Sequence, residues 1–346
     1  MAEAIRLRSP RYRTTVCSST HLSVQMTITI SSVLRYTIVK DSIANQKSLF
    51  EYAELSRDYI TGLDWKGAYN NLFVPQSGLL IKTNITFWNN AGGSAAVGAT
   101  EVTSGITGGG EITEYGYDSY SNFLQGYNNE IPNDQICISN VSSTSNSGVN
   151  TYTVYYPIGK GGVIPYMKSD GSQLIYNGFS TTATQLIMGN TGSTVVNIKR
   201  FHCNKYENVA VDFINKFGAI QREYFILKNV TKIKAKREDY KSNIMDNNTG
   251  SYSVYEHTIQ NFNIVANEEL TVNSDYLPEY YNEVFTELLL SDYVWVYFDP
   301  PNTSTNGAIP VNITNSDLTY KTQVNDRLIN FSFSFKMSYD YINNIR

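Results

Sequence analysis

The chain of 346 residues is poor in cysteine, in histidine and in charge. Its three cysteines, Cys17, Cys137 and Cys203, are odd in number, far apart and without a CxxC pair. That excludes a disulfide framework and a zinc site, and it fits a reducing compartment of synthesis. The three histidines, His21, His202 and His257, stand far from one another. His202-Cys203 resembles a dyad only on paper, because neighbours on a strand point to opposite faces. Charged residues make up 17% of the chain and the formal net charge is −4, which excludes a globally basic nucleic-acid binder but not a local patch. No run reaches the ~20 apolar residues of a membrane span. Met1-Ala-Glu-Ala-Ile-Arg-Leu-Arg8 lacks the apolar stretch of a secretory signal. The expectation is a soluble chain without a membrane span, synthesised in the cytoplasm.

Motifs for chemistry are also missing. Gly108-Gly-Gly110 is not followed by Lys-Ser/Thr, and Gly159-Lys-Gly-Gly162 has Val154 where a phosphate-binding loop needs its first glycine. Carboxylate pairs are recognised by their separation in space, so Asp118, Asp134, Asp170 and Glu256 are possible members of one, but nothing singles them out. The sequence assigns no catalytic residue, no cofactor and no metal.

What is present is tyrosine, 27 of them, with strict alternation of apolar and polar residues. Tyrosine is at home in strands, and it also makes contact surfaces of large rigid area with one polar tip. Leu22, Val24, Met26, Ile28 and Ile30 alternate with polar residues, and Leu34, Tyr36 and Ile38 do so again after Ser31-Ser32. The pair predicts an antiparallel hairpin. Val209–Phe213 and Ile220–Leu227, around Asn215-Lys-Phe-Gly218, predict a second hairpin with a four-residue loop. Strands are predicted at 79–88, 151–156, 163–167, 173–176, 194–202, 252–264, 293–298 and 331–337. Glu51 to Ile60 reads as a short helix. In the last third, Leu277, Tyr281, Val284 and Leu288 give a helical stripe over 274–291, capped by Ser274 or Asp275, with Pro278 in its first turn. Asn89–Gly110 is of low complexity and reads as a loop that is mobile or ordered by a neighbouring subunit.

Together these signals predict a mainly β chain of two β-sandwich-like (Ig-like) domains, 1–204 with long loops and 205–346 with the amphipathic helix. Two basic clusters are candidate interaction sites. Lys232, Lys234 and Lys236 share one strand face, extended by Arg237 and Lys241. Arg6 and Arg8, with Arg11 and Arg13, form the other. Each either meets an acidic partner or DNA, or is ordinary surface charge; for the lysines that alternative is an edge strand guarded against stray pairing.

Specific segments resemble a known group. Ile5-Arg-Leu-Arg-Ser-Pro10, the Leu22–Ile38 hairpin and Phe50-Glu-Tyr-Ala-Glu-Leu-Ser-Arg-Asp-Tyr-Ile60 make one half of the pattern. Phe213-Ile-Asn-Lys-Phe-Gly-Ala219, Arg237-Glu-Asp-Tyr-Lys241, Thr271-Val-Asn-Ser274, Glu287-Leu-Leu-Leu-Ser291 and Tyr320-Lys-Thr322 make the other. They resemble structural proteins of the neck, collar or tail hub of tailed phages that infect Bacteroidota, including crAss-like phages. The resemblance covers both ends of the chain and leaves about 65–190 unmatched. It implies a non-enzymatic virion protein, a subunit of an oligomeric tail or collar ring or hub joining portal-side to host-side parts. Its partners would be copies of itself and other tail, neck or fibre proteins, with direct DNA contact not expected. A fibre-holding adaptor or host-attachment protein is the alternative, and a glycan-degrading tail enzyme the third.

Overall fold

A computed structural model describes residues 2–16, 23–41, 46–60, 73–103, 107–139, 144–146, 149–189, 194–202, 205–298, 307–315, 317–318 and 328–341. The chain is mainly β, with sheets stacked in a sandwich-like arrangement. The first sheet runs in the order Val33–Asp41, Ser23–Ile30, Leu79–Trp88, Gly110–Tyr117, Glu3–Arg6, Glu130–Ile131. Its inward positions Ile5, Met26, Ile28, Ile81 and Phe87 make a core with Phe50 and Tyr52. Glu3–Arg6 lies parallel to Glu114–Tyr117, a long-range pairing that no turn signal announces.

The first hairpin forms as the alternation predicts, with Ile30 opposite Val33. Ser31 and Ser32 both take left-handed backbone, φ 48° and 68°. A two-residue turn of this hand matches the strand twist but favours Asn-Gly, and a side chain at such a φ costs roughly 1 kcal/mol or more. Ser31→Asn with Ser32→Gly is therefore expected to raise the unfolding free energy by about 1–2 kcal/mol. The reading is a higher urea midpoint at unchanged slope.

A seven-stranded sheet runs Ile220–Phe225, Val209–Ile214, Val294–Phe298, Ile309–Ile313, Ser332–Met337, Ile259–Asn273, Val230–Lys241. Val209–Ile214 and Val294–Phe298 are covered on both faces, so they read as near-continuous apolar runs. On one face Ala210, Tyr224, Trp295 and Tyr297 pack with Tyr152, Val154, Ile164 and Val196. On the other, Val211, Phe213 and Val296 pack with Leu277, Tyr281, Val284, Leu288, Phe333 and Phe335. Residues from both sides of position 204 thus share the first of these cores. In the second hairpin Ile214 pairs with Ile220, which leaves five residues in the loop rather than four. Asn215 closes it, its Oδ1 accepting the amides of Phe217 and Ala219 at 3.0 and 3.1 Å.

Both helix expectations and the reading of one loop need correction. The helix spans Asn282–Leu289, not 274–291. Leu277–Pro278 pairs as a short strand with Leu328–Ile329, and Glu279–Tyr281 is a 3-10 turn. Pro278 is extended (ψ 153°), so helical backbone starts only after it. Ser274 caps nothing; its Oγ accepts the Phe331 amide at 2.9 Å. The apolar stripe itself is buried as its spacing implies. Likewise the helix expected over 51–60 is confined to Ala53–Arg57.

The 89–110 segment is that loop, and its described part is ordered by its own chain. The Gly93 and Ser94 amides donate to Ser23 Oγ and Gln25 Oε1, and the Val102 amide to the Phe87 carbonyl at 2.8 Å. Small residues allow that close approach, a role that composition alone conceals. No helix among the described residues is long and apolar enough to cross a membrane.

Candidate functional site

Among the described residues the longest series of exposed large apolar side chains lies on a ribbon at the edge of the seven-stranded sheet. Val230–Lys241 pairs antiparallel with Ile259–Asn273, from Val230 opposite Thr271 to Lys241 opposite Ile259. Only Glu269–Asn273 is backed by the next strand, Ser332–Met337. The last described ties beyond it are the Tyr341 amide on the Ala266 carbonyl, 2.7 Å, and Asn267 Nδ2 on Asp340, 2.6 Å. Residues 237–264 then continue outward as an arm. Its register shifts after Glu238, leaving Phe262 as the extra residue of a bulge. At the tip Asp246 holds the turn, its Oδ1 accepting the Asn248 amide at 2.9 Å and its carbonyl the Gly250 amide. Hydrogen bonds from the Asn248 amide and from Thr249 hold the Asp246 carboxyl below its usual range.

Large apolar side chains stand in solvent along this arm and at its root. They are Ile233 and Tyr240 on the outgoing half, Met245, Tyr252, Val254 and Tyr255 at the tip, and Ile259, Phe262 and Ile264 on the return. Tyr255 is 93% exposed. Tyr240 and Phe262 touch edge to face, centroids 6.1 Å apart. Patches of this size on soluble proteins mark contact sites.

The lysines fall where alternation places them. Lys232, Lys234 and Lys236 lie on the sheet face opposite the core, because Thr231 and Ile233 share the register face of buried Leu270. Lys234 Nζ meets Glu269 at 2.7 Å, and Lys232 and Lys336 flank the same glutamate across the strands. Arg237 and Lys241 are also exposed, with Arg237 on the other face beside Ile264. Val230–Lys241 is the outermost strand of the sheet. Lysines at such a place hinder unwanted strand pairing.

The N-terminal arginines do not form a surface patch. Arg6 is buried, donating to the carbonyls of Tyr120 (2.7 Å) and Lys216 (3.0 Å) and lying over the Phe217 ring. Arg8 forms a two-pronged pair with Asp118, 2.7 and 2.8 Å, and reaches Asp292. Arg11 meets Glu114 at 2.7 Å, and also Glu130, Glu3 and the Tyr52 hydroxyl. Arg13 donates to Thr83 Oγ1 and to the carbonyls of Gly108 and Gly110. These cations brace loops from inside. Sequence spacing does not reveal which carbonyls a distant loop will supply.

A polar chain also crosses the interior. Gln221 Nε2 donates to Glu223 at 2.8 Å, while Gln221 Oε1 accepts from Asn215 Nδ2 and the Ser139 amide. Ser139 Oγ donates to Glu287, which also accepts the Lys216 amide at 2.9 Å. Burial pushes the Glu287 carboxyl up, opposed chiefly by Lys216. Burial likewise pushes Glu223 up to about 7 from an ordinary 4.5, partly offset by Gln221. A carboxyl that binds its proton more tightly when folded stabilises the fold at low pH. That contribution is lost as pH rises from about 4.5 through 7. Glu223 retains some solvent access, so the swing is set at about 2 kcal/mol rather than the full shift. Glu223→Gln is expected to flatten stability across that window and to gain about 2 kcal/mol at pH 8, measured by urea unfolding at several pH values.

The other expected groups are dispersed. Asp118 serves Arg8, Asp134 accepts the Tyr166 hydroxyl, and Asp170 accepts Ser172 N and Oγ at 3.0 and 2.8 Å. Glu256 sits in the arm tip. His202 and His257 are exposed; His21, Cys17 and Cys203 lie outside the described residues, as do the matched residues 320–322. Cys137 is buried and its thiol is pushed up to about 12 by that burial, which makes it a poor nucleophile. An open cleft of about 510 Å³ between Gln173–Phe179 and Gln185–Met188 is lined by Tyr166, Lys168, Ile175, Ile187 and Met188. Among the described residues no three His, Cys, Asp or Glu gather as metal ligands.

One feature escaped sequence reasoning entirely. Phe123 and Leu124 are 97% and 92% exposed on a 3-10 turn. A reciprocal cap of Asn122 and Gln125 holds that turn, and Ser9 Oγ takes the Ser121 amide at 2.7 Å. The only signal was an apolar pair inside a polar stretch. No protein-family model, curated protein or solved structure matches this chain.

Proposed function

We propose that the chain is a non-enzymatic structural subunit of a tailed-phage virion, one member of an oligomeric tail or collar ring or tail hub between portal-side and host-side parts. The observation that carries this reading is the arm over residues 237–264, whose apolar side chains are covered by no described part of the subunit. A two-stranded ribbon is marginal in water by itself, so its cover comes from a neighbour. Obligate interfaces are large and apolar, and contacts repeated around an axis close into rings. The resemblance at both ends of the chain supports the same reading. The protein would be made in the host cytoplasm and carried in the neck or tail of the particle. Gold-labelled antibodies to the chain should decorate purified particles at that position. A protein found only free in the lysate would refute the reading.

The fibre-holding adaptor reading is favoured by Phe123 and Leu124, a rigid apolar pair of the kind that anchors interfaces. Under it, Phe123→Ser with Leu124→Ser yields particles that assemble but lack fibres. Fully fibred particles would remove it.

A further inference from the structure

The arm offers two strand edges, and they differ in charge. The outer edge, Val230–Lys241, carries five cations and two anions. The opposite edge, over residues 259–265, has no partner strand among the described residues and lies in a stretch, 258–267, without a charged side chain. Lysines guard the first edge against strand pairing; the second carries no charged guard, and its one irregularity is the bulge at Phe262. Resting on the oligomer reading above, we infer that a second copy of this chain occupies the arm, and that the arm joins it by adding residues 259–265 as a strand to that copy's body. Strand addition uses main-chain hydrogen bonds for affinity and alternate side chains for specificity.

Two observations favour a second copy. The four exposed aromatics Tyr240, Tyr252, Tyr255 and Phe262, with five large aliphatic side chains, leave on the order of 1,000 Å² of apolar surface in water. A standard stable contact needs ~800 Å² per partner, so one donated arm suffices to hold a neighbour. Charge agrees. Outside Val230–Lys241 the chain has 22 cations against 29 anions, so another copy is the acidic complement of Lys232, Lys234 and Lys236 at the root of the arm, while residues 237–264 themselves carry two cations and four anions. Arm and body are different surfaces, so the contact is head to tail, as ring closure requires.

The test is sedimentation velocity of the purified full chain at micromolar concentration. Asn261→Lys with Asn263→Lys puts on the second edge the guard already present on the first. Each new lysine faces an acid across the ribbon, Asp239 or Glu238, so the arm keeps its fold. The wild-type chain is expected to form a discrete oligomer. The lysine variant should self-associate at least tenfold more weakly with an unchanged melting temperature, and a tip control, Asn248→Lys, should match the wild type. A chain whose residues 238–263 are replaced by an Asn-Gly turn should accept a wild-type arm but donate none, ending growth when mixed in. If the lysine variant associates like the wild type, the edge is not used and the inference fails while the ring reading stands. If the chain is monomeric alone yet its arm lies on a different protein in particles, the second copy is wrong and the ring reading stands. A monomer that is also absent from particles overturns both.

Discussion

Asp212→Ala is expected to destabilise the fold by about 3–5 kcal/mol, enough to unfold a marginal domain at physiological temperature. Asp212 is fully buried on Val209–Ile214 and holds Arg222 from the neighbouring strand through two bonds of 2.7 and 2.8 Å. The guanidinium lies over the rings of Phe73 and Tyr297, 5.1 and 4.8 Å from their centroids. Removing the carboxylate leaves this cation buried without its ion-pair partner. Removing both charges is different, since an apolar pair of similar volume is often neutral or stabilising. Asp212→Leu with Arg222→Met should therefore recover most of the loss. Urea unfolding of the two variants decides the matter: equal losses would mean that the pair acts by shape and not by charge.

Arg11→Met is expected to cost about 3–5 kcal/mol for a related reason. Glu114 is 3% exposed, and Arg11 is the cation that meets it, with the Tyr52 hydroxyl as its other described partner. The same guanidinium draws in Glu130 and Glu3 and donates to the Asn128 carbonyl at 2.8 Å. Its loss frees three carboxylates from one cation and removes the side-chain tie to Asn128 and Glu130, while the backbone pairing of Glu130–Ile131 with Ala4 and Ile5 remains. The drop should exceed that of Arg57→Met, whose half-exposed pair with Asp118 at 3.6 Å contributes little. Similar losses from both variants would show that the buried cluster is no more than surface charge.

How far the sequence foretold this depends on the element. Period-two alternation located Ser23–Ile30, Leu79–Trp88 and Ser332–Met337, because the apolar side chains of each strand share one buried face and mostly polar ones share the other. Partner order was not legible: the parallel pairing of Val149–Pro157 with Thr194–Phe201 joins strands that local pattern treats as unrelated. The helix start was misplaced since Leu277 and Tyr281 keep a helical spacing while lying in a strand and a 3-10 turn. The arm hid for a physical reason too. Residues 252–258 read as strand from their tyrosines and valine, yet they form the tip, and the strand runs on to Asn273. Whether an apolar side chain faces core or solvent depends on what lies beside its strand, and on the edge away from Val230–Lys241 no described strand pairs with residues 259–268.

In the ring proposed for this subunit each arm lies on the next copy, and cryo-electron microscopy of intact particles would show it. A rotationally symmetric ring of this chain is expected in the neck or tail, with density for residues 237–264 running onto the adjacent copy. A single copy at a unique position, with its arm in solvent, would contradict it.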